Sequence, residues 1–214
     1  FVHSSFRRAC NVALGDTLLT LHAGDAGAQP AGLQLAAGSP QDLRALLRPG
    51  ERVRCSAEGM RTEHVVVCWR HAQRWWPAPV PATAAPQVMA ARAGRCAQRL
   101  RTTGPIDLAD VDERCAALGR ACRADDRPRA VSIARDMIGR GDGLTPACDD
   151  ALMGFFAGLE VDAPGLDQRT PLRAELRQAV LAGLIRTTPM AAQGLRMAAN
   201  GHHCEHLLAL RAAL

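Results

Sequence analysis

The chain has 214 residues and a formal net charge of +5, with 48% hydrophobic and 22% charged residues. That balance is typical of a globular protein and argues against intrinsic disorder. No apolar run approaches the roughly 18 residues that a membrane-spanning helix needs, and the first residues lack the basic and then apolar pattern of a signal peptide. We therefore expect a cytoplasmic protein with no membrane partner.

The basic residues exclude several functions. All 26 are arginine, because the sequence contains no lysine, so the chain cannot supply a Schiff-base lysine or a Walker A lysine. The arginines are scattered from Arg7 to Arg211 among acidic residues, and aromatic residues make up only 3%. Without a basic cluster or a stacking platform, we expect no nucleic-acid partner.

Residues 1–82 are predicted to be rich in β-structure. The alternation of polar and apolar residues and the β-branched runs predict these elements: strands at 17–22 and 33–35, a short helix at 40–47, and a hairpin of 52–55 with 64–69 whose turn lies at 58–60. Pro77, Pro79 and Pro81 then mark a boundary, since prolines so closely spaced fit neither a helix nor a central strand.

Residues 83–214 are predicted to be helical. Alanine, leucine and arginine become frequent after the prolines, and helices are expected near 86–101, 107–123, 128–138, 146–159, 170–186, 190–200 and 202–213. The fold class is therefore α+β, with a small β-rich part at 1–82 and a helical part at 83–214. The eight cysteines show no spacing typical of a zinc site and are expected to be reduced.

One segment, residues 139–150, stands apart from the rest. It reads G-R-G-D-G-L-T-P-A-C-D-D and leads into an apolar run. Thr145 is a suitable N-cap and Pro146 suits the first helical position. Glycines before a helix N-terminus let backbone N–H groups converge on an anion, so we expect phosphate or carboxylate to bind here. The segment fits neither a dinucleotide fingerprint nor a Walker A motif.

Asp149 and Asp150 have two interpretations. Acidic residues in the first turn stabilise a helix by about 0.3–1 kcal/mol, which needs no chemistry. Adjacent side chains on a helix diverge by about 100°, however, so one carboxylate should face the glycines. Together with Asp142 they could form an acidic site for Mg²⁺, a substrate amide or a cationic group. Cys148 lies in the same turn, where a thiolate pKa would fall, although a packed thiol is favoured.

Further polar residues of interest lie near each end of the chain. His3 and Asn11 flank the first residues, and Thr188-Pro189 repeats the Thr145-Pro146 pattern. Helix capping alone explains Thr188; the alternative is a second hydroxyl that lines the anion site.

These motifs together resemble the AllH-like family. Its G-x-G-x-G-L-T-P-S-G-D-D signature is similar to residues 139–150, residues 2–21 look like the opening of the family, and residues 186–201 look like its closing helices. The named member is a subunit of bacterial oxamate carbamoyltransferase in allantoin breakdown. Ala147 and Cys148 stand where the family has Ser and Gly, and Met190-Ala191 stands where a Ser is usual.

The resemblance implies transfer of a carbamoyl group between carbamoyl phosphate and oxamate, in a complex with partner subunits. It implies a cradle formed by the amides of Gly141, Gly143 and Leu144 with Thr145, and a base or orienting group at Asp149 or Asp150. Asp142, Thr188, His3 and Asn11 are the other expected substrate contacts. No cofactor is expected, with Mg²⁺ left open. The alternatives are a non-catalytic binding or scaffold subunit and a metal-dependent hydrolase that uses Asp142, Asp149 and Asp150.

Overall fold

The computed structural model describes most of the chain. The described residues are 1–24, 27–76, 109–159 and 171–213, together with Ala91, Arg92, Arg95 and Gln98. By contact density the chain divides into two compact units, one of Phe1–Ala78 with Cys204–His206 and one of Pro79–His203 with Leu207–Leu214. Within the described residues, none of the helices has the length and apolar character needed to cross a membrane.

The first unit contains a four-stranded sheet. Its strands lie in chain order, β1–β2–β3 antiparallel and β4 parallel to β3. Their bounds are Val2–Ser5 (β1), Ala9–Leu14 (β2), Thr17–His22 (β3) and Gly32–Gln34 (β4). A 3-10 helix at Leu43–Ala45 begins after Asp42, whose carboxylate accepts the backbone N–H of Arg44.

A second sheet in the same unit has three antiparallel strands. They are Arg54–Cys55 (β5), Gly59–Arg61 (β6) and Val66–Cys68 (β7), with β6 in the middle. Apolar side chains from both sheets and from the 3-10 segment form one buried cluster, which consists of Val2, Cys10, Val12, Leu21, Ala23, Leu43, Leu47 and Met60.

The predictions for this unit are confirmed in outline and wrong in several details. The strand at 17–22 has the predicted bounds, and strands occur close to 33–35, 52–55 and 64–69. The predicted hairpin of 52–55 with 64–69 is wrong, because both strands pair with β6, which occupies the expected turn. The helix expected at 40–47 is a 3-10 helix of three residues only. Gly59 is a glycine because the strands approach closely, since a Cβ there would lie 2.3 Å from the backbone oxygen of Val67. Strands β1 and β2 were not predicted, because their polar residues hide the alternation.

The second unit is helical. The helices with described bounds are Ala109–Arg123 (α1), Arg127–Met137 (α2), Ala147–Leu159 (α3), Pro171–Gly183 (α4), Pro189–Ala199 (α5) and Glu205–Ala213 (α6). The first two residues of α6 belong to the first unit. A 3-10 turn at Leu184–Arg186 precedes α5. Two starts show why the chain becomes helical where it does. Asp126 caps α2 and Thr188 caps α5, each followed by a proline in the first turn.

One apolar core holds the helices of this unit together. Its largest fully buried side chains are Leu118, Met137, Leu152, Phe156, Leu176 and Leu195. They come from α1 to α5, so the ends of α2, α3 and α5 are fixed relative to one another. The candidate site is built from those ends.

The α+β class is confirmed, and six of the seven predicted helices are present within a few residues. The helix expected at 86–101 falls mostly outside the described residues, as does the predicted domain boundary near residue 82. The boundary therefore stays a prediction.

Removal of the Phe156 ring tests this core. Phe156 is 2% exposed among residues of the buried cluster, and Phe156→Ala should reduce the free energy of unfolding by about 3–5 kcal/mol. The matched control is Ile185→Ala, because Ile185 is 92% exposed and its loss should cost less than about 0.5 kcal/mol. Urea unfolding followed by circular dichroism at the helical band measures both values. Equal losses for the two variants would contradict this core.

Candidate functional site

The predicted anion-binding segment forms a loop between α2 and α3, called here the glycine loop (residues 138–146). Its three glycines have positive φ angles of 77° at Gly139, 110° at Gly141 and 90° at Gly143. Two of them also make close approaches. A Cβ on Gly139 would lie 2.3 Å from the backbone oxygen of Arg186, and one on Gly141 would lie 2.7 Å from the backbone nitrogen of Ala147. Glycine is therefore required for packing as well as for conformation.

The carboxylate of Asp149, the first residue of the Asp pair, is buried and accepts two hydrogen bonds from the protein. Asp149 is 0% exposed. Its Oδ1 accepts the backbone N–H of Gly139 at 2.9 Å, and its Oδ2 accepts the hydroxyl of Thr187 at 2.5 Å. We call this pair of contacts the Asp149 bridge. It joins the start of the glycine loop, the first turn of α3 and the residue that follows the 3-10 turn.

Thr188 makes a second connection next to the first. Its hydroxyl donates to the backbone oxygen of Leu144 at 2.5 Å and accepts the N–H of Ala191 at 3.1 Å. The capping prediction for Thr188 is thus confirmed. The same hydroxyl also holds the far side of the glycine loop, so adjacent threonines fix both ends of the loop.

The start of α3 differs from the prediction by one residue. The helix begins at Ala147 rather than at Pro146, and the Pro146 carbonyl accepts the N–H groups of Asp149 and Asp150. Proline therefore occupies the cap position, where its missing N–H is harmless and its carbonyl is used. Thr145 precedes the cap.

The loop carries N–H groups without protein acceptors. The N–H of Cys148 donates to the backbone oxygen of Arg140, so the helix terminus itself is partly satisfied. Within the described part of the chain, no protein acceptor receives the backbone N–H groups of Gly141, Gly143 and Leu144. Gly143 and Leu144 are exposed. Backbone donors of this kind in a run of glycines suit an anion.

The second carboxylate of the pair has a different environment. Asp150 is exposed, as are Asp142 and Thr145. Partial desolvation raises the pKa of Asp150, a hydrogen bond from the Thr145 hydroxyl opposes the rise, and the charge of Asp149 adds to it. Asp150 is therefore the member of the pair that solvent and a ligand can reach.

Cys148 is a packed thiol and not a reactive one. It is 1% exposed within the helical core. Burial raises its pKa, with Asp110 acting in the same direction and Arg114 opposing it. The favoured interpretation, a packed thiol, is thus confirmed, because desolvation outweighs the helix dipole that would lower the pKa.

His3 and Asn11 lie in the first unit, in the four-stranded sheet. Asn11 is 1% exposed. Its amide donates to Ser4 Oγ at 2.9 Å and its Oδ1 accepts the hydroxyl of Thr20 at 2.8 Å, while His3 Nδ1 lies 3.2 Å from Ser4 Oγ. The two predicted residues thus belong to one hydrogen-bonded row.

Candidate metal ligands are not clustered in the described part of the chain. Within the residues that can be described, no group of three or more His, Cys, Asp and Glu side chains is arranged to hold a metal ion. Both oxygens of Asp149 already accept hydrogen bonds from the protein. The expectation of no cofactor, with Mg²⁺ left open, stays a prediction.

Three residues of these arrangements were not predicted as contacts. They are Thr187 at the Asp149 bridge, and Ser4 and Thr20 in the sheet. A signal for Thr187 was available, because a buried first-turn carboxylate needs a second donor and a threonine adjoins Thr188. Nothing in the spacing alone joins Ser4 to Thr20, since their proximity depends on strand register.

Comparison with known families covers most of the chain. Residues 137–214 match the model described as oxamate carbamoyltransferase subunit AllH, and residues 1–74 match the AllH family N-terminal domain. The chain belongs to the AllH family. The first match begins at the end of α2, so it includes the whole glycine loop and both threonines that hold it. No solved structure matches the chain.

The Asp149 bridge makes a sharp prediction for stability. Asp149→Ala leaves a partly buried N–H and a partly buried hydroxyl without their acceptor, and should lower the free energy of unfolding by about 2–4 kcal/mol. Asp150→Ala is the matched control, because its exposed carboxylate contributes about 1 kcal/mol or less. Urea unfolding measures both.

A double-mutant cycle with Thr187→Val separates the bridge from general packing. The sum of the two single losses should exceed the loss of the double variant by at least about 0.5 kcal/mol, because the residues share one hydrogen bond. Strict additivity would contradict the bridge.

Proposed function

We propose that the chain is an oxamate carbamoyltransferase subunit that binds an anionic substrate at the glycine loop. The observation that carries the proposal is the set of N–H groups at Gly141, Gly143 and Leu144, which lack protein acceptors among the described residues. Family membership supports the activity, and the Asp149 bridge supplies the rigidity that a preorganised anion site needs.

The proposed reaction transfers a carbamoyl group. Carbamoyl phosphate and oxamate give oxalurate and phosphate, a step in the breakdown of purine (allantoin) nitrogen. Both substrates are small anions, so the site must supply positive dipoles and hold two reactants in the right orientation. The amides of the glycine loop supply such dipoles without a lysine, which the chain lacks.

The two carboxylates take different roles in this proposal. Asp150 is the candidate base or orienting group for the amino nitrogen of oxamate, because it is exposed and its pKa is raised. Asp149 is a positioning residue, because its two oxygens are used by Gly139 and Thr187. Asp142, Thr145 and Thr188 stay candidate substrate contacts.

A second candidate is a subunit that binds substrate without reacting. The family description names a subunit, which implies partner chains. This alternative predicts ligand binding without any effect of Asp150 on turnover.

Turnover by the assembled enzyme separates the candidates. The chain is co-expressed with the other subunits of the transferase, and oxalurate formed from oxamate and carbamoyl phosphate is measured. Asp150→Asn should lower kcat at least about a hundredfold, the usual range for loss of a general base. Asp136→Asn is the matched control, since it makes the same charge change at an exposed position near the end of α2.

Either of two results decides against a catalytic role here. Wild-type turnover by the Asp150→Asn enzyme would exclude the carboxylate at the glycine loop as the base. Failure of carbamoyl phosphate and oxalurate to raise the melting temperature of the chain would remove the binding site as well, because a ligand that binds the native state raises that midpoint by mass action.

The Thr145 hydrogen bond predicts a shift in pH dependence. The base must be ionised, so the rate should fall as pH drops through the pKa of Asp150. Thr145→Val removes the contact that lowers this pKa, so the acid limb of the rate profile should move to higher pH. The alkaline limb serves as the internal control. An acid limb that stays in place would exclude Asp150 as the group that titrates.

A further inference from the structure

An irregularity in the four-stranded sheet brings His3 and Ser4 together. In a regular strand, successive side chains point to opposite faces, so neighbours do not meet. Here Val2 pairs with Val12 while Ser4 pairs with Asn11, which leaves His3 as one extra residue in β1. Such a β-bulge re-aims a side chain, and it accounts for the 3.2 Å separation of His3 Nδ1 and Ser4 Oγ.

The strand register extends this contact into a row. Ser4 pairs with Asn11 across β1 and β2, and Asn11 pairs with Thr20 across β2 and β3. Directly opposed residues in a sheet share a face and interact. The four side chains therefore form a continuous hydrogen-bonded chain from Thr20 to His3.

The donors and acceptors of the row give it a direction. The Thr20 hydroxyl donates to Asn11 Oδ1, which fixes the amide so that its nitrogen faces Ser4. The amide nitrogen can only donate, so Ser4 Oγ accepts this bond at 2.9 Å. Ser4 Oγ then donates its proton to His3 Nδ1 when the imidazole carries its own proton on Nε2.

Burial in the row matches the needs of a reactive hydroxyl. Asn11 is 1% exposed and is held from both sides, whereas Ser4 and His3 are only partly buried. The orienting groups are thus fixed, and the serine and the imidazole remain accessible. A serine hydroxyl hydrogen-bonded to a histidine, with further groups that orient the pair, is the arrangement of an activated nucleophile.

We propose that Ser4 is a nucleophile that accepts a carbamoyl group, with His3 as its general base and Asn11 and Thr20 as positioning residues. The identity of the donor, carbamoyl phosphate, rests on the proposed function. The location in the first unit rests on the sheet alone and does not depend on the role of the glycine loop. In this proposal His3 replaces Asp150 as the base that takes the proton of oxamate, so the Asp150→Asn enzyme distinguishes the two assignments.

The step balances as follows. Ser4 Oγ forms a bond to the carbamoyl carbon, the bond from that carbon to the phosphate oxygen breaks, and the serine proton passes through His3 Nδ1 to the departing phosphate. In the second half, the nitrogen of oxamate attacks the same carbon. The Oγ–carbon bond then breaks, and the proton released from nitrogen returns to Ser4 through His3.

Mass spectrometry of the assembled transferase tests the proposal. The enzyme is incubated with carbamoyl phosphate without oxamate, quenched in acid and digested. The expected result is one carbamoyl group on Ser4, which disappears when oxamate is added before the quench. His3→Gln should slow the labelling at least about a hundredfold. Thr20→Val should slow it less, and Thr20→Ser, which keeps the hydroxyl, should restore it.

The matched control is Ser5→Ala. Ser5 is the next residue in β1, its hydroxyl oxygen is buried, and it pairs with Cys10 instead of Asn11. This variant should keep the label on Ser4. Non-specific carbamoylation by cyanate is recognised by its position and persists in Ser4→Ala.

Failure of this proposal differs from failure of the proposed function. Oxalurate formation at the wild-type rate by Ser4→Ala, or turnover with no label on Ser4, overturns the nucleophile and leaves the transferase intact. A label on Ser4 that oxamate cannot remove, with no oxalurate formed, supports the nucleophile and removes the proposed function.

Discussion

The buried carboxylate of Asp149 is the constraint on which the candidate site depends. A charged group without solvent contact is costly unless hydrogen bonds satisfy it, and here the donors come from Gly139 and Thr187. These partners are 10 and 38 residues away along the chain. One side chain in the first turn of α3 thereby fixes the end of α2 and the entry to α5.

The shape of the glycine loop follows from that constraint. Gly139 must come close enough for its N–H to reach Asp149, which places it against the backbone of Arg186, where only glycine fits. Thr188 then holds Leu144 from the other side. Between these two attachments the backbone turns with positive φ angles at Gly141 and Gly143. In such a turn the N–H groups are left for an anion.

The sequence predicts the fold class and most helices, because caps, prolines and apolar periodicity are local signals. Thr188 and Pro189 mark the start of α5 without reference to the rest of the chain. The sequence-based predictions are wrong where the role of a residue depends on a contact with a residue far away in the sequence. Gly59 was expected in a turn, but it lies in β6, where β7 approaches too closely for a side chain.

For the candidate site, the sequence predicts which residues matter but not the environment of each one. The sequence singles out the loop, the Asp pair, Thr188, His3 and Asn11, and it indicates that the two carboxylates diverge. It does not say which of them is buried, because that depends on the packing of α3 against α5. Likewise, the hydrogen-bonded row from Thr20 to His3 depends on a β-bulge in β1, which the local sequence does not predict.

Backbone amide spectroscopy tests the central claim most directly. Carbamoyl phosphate is titrated into the isotope-labelled chain, and the amide resonances are followed by nuclear magnetic resonance. The account predicts that the amides of Gly141, Gly143 and Leu144 shift in a saturable manner, and that the shifts vanish in Asp149→Ala protein that is still folded. Saturable shifts elsewhere, with these three amides unmoved, would contradict it.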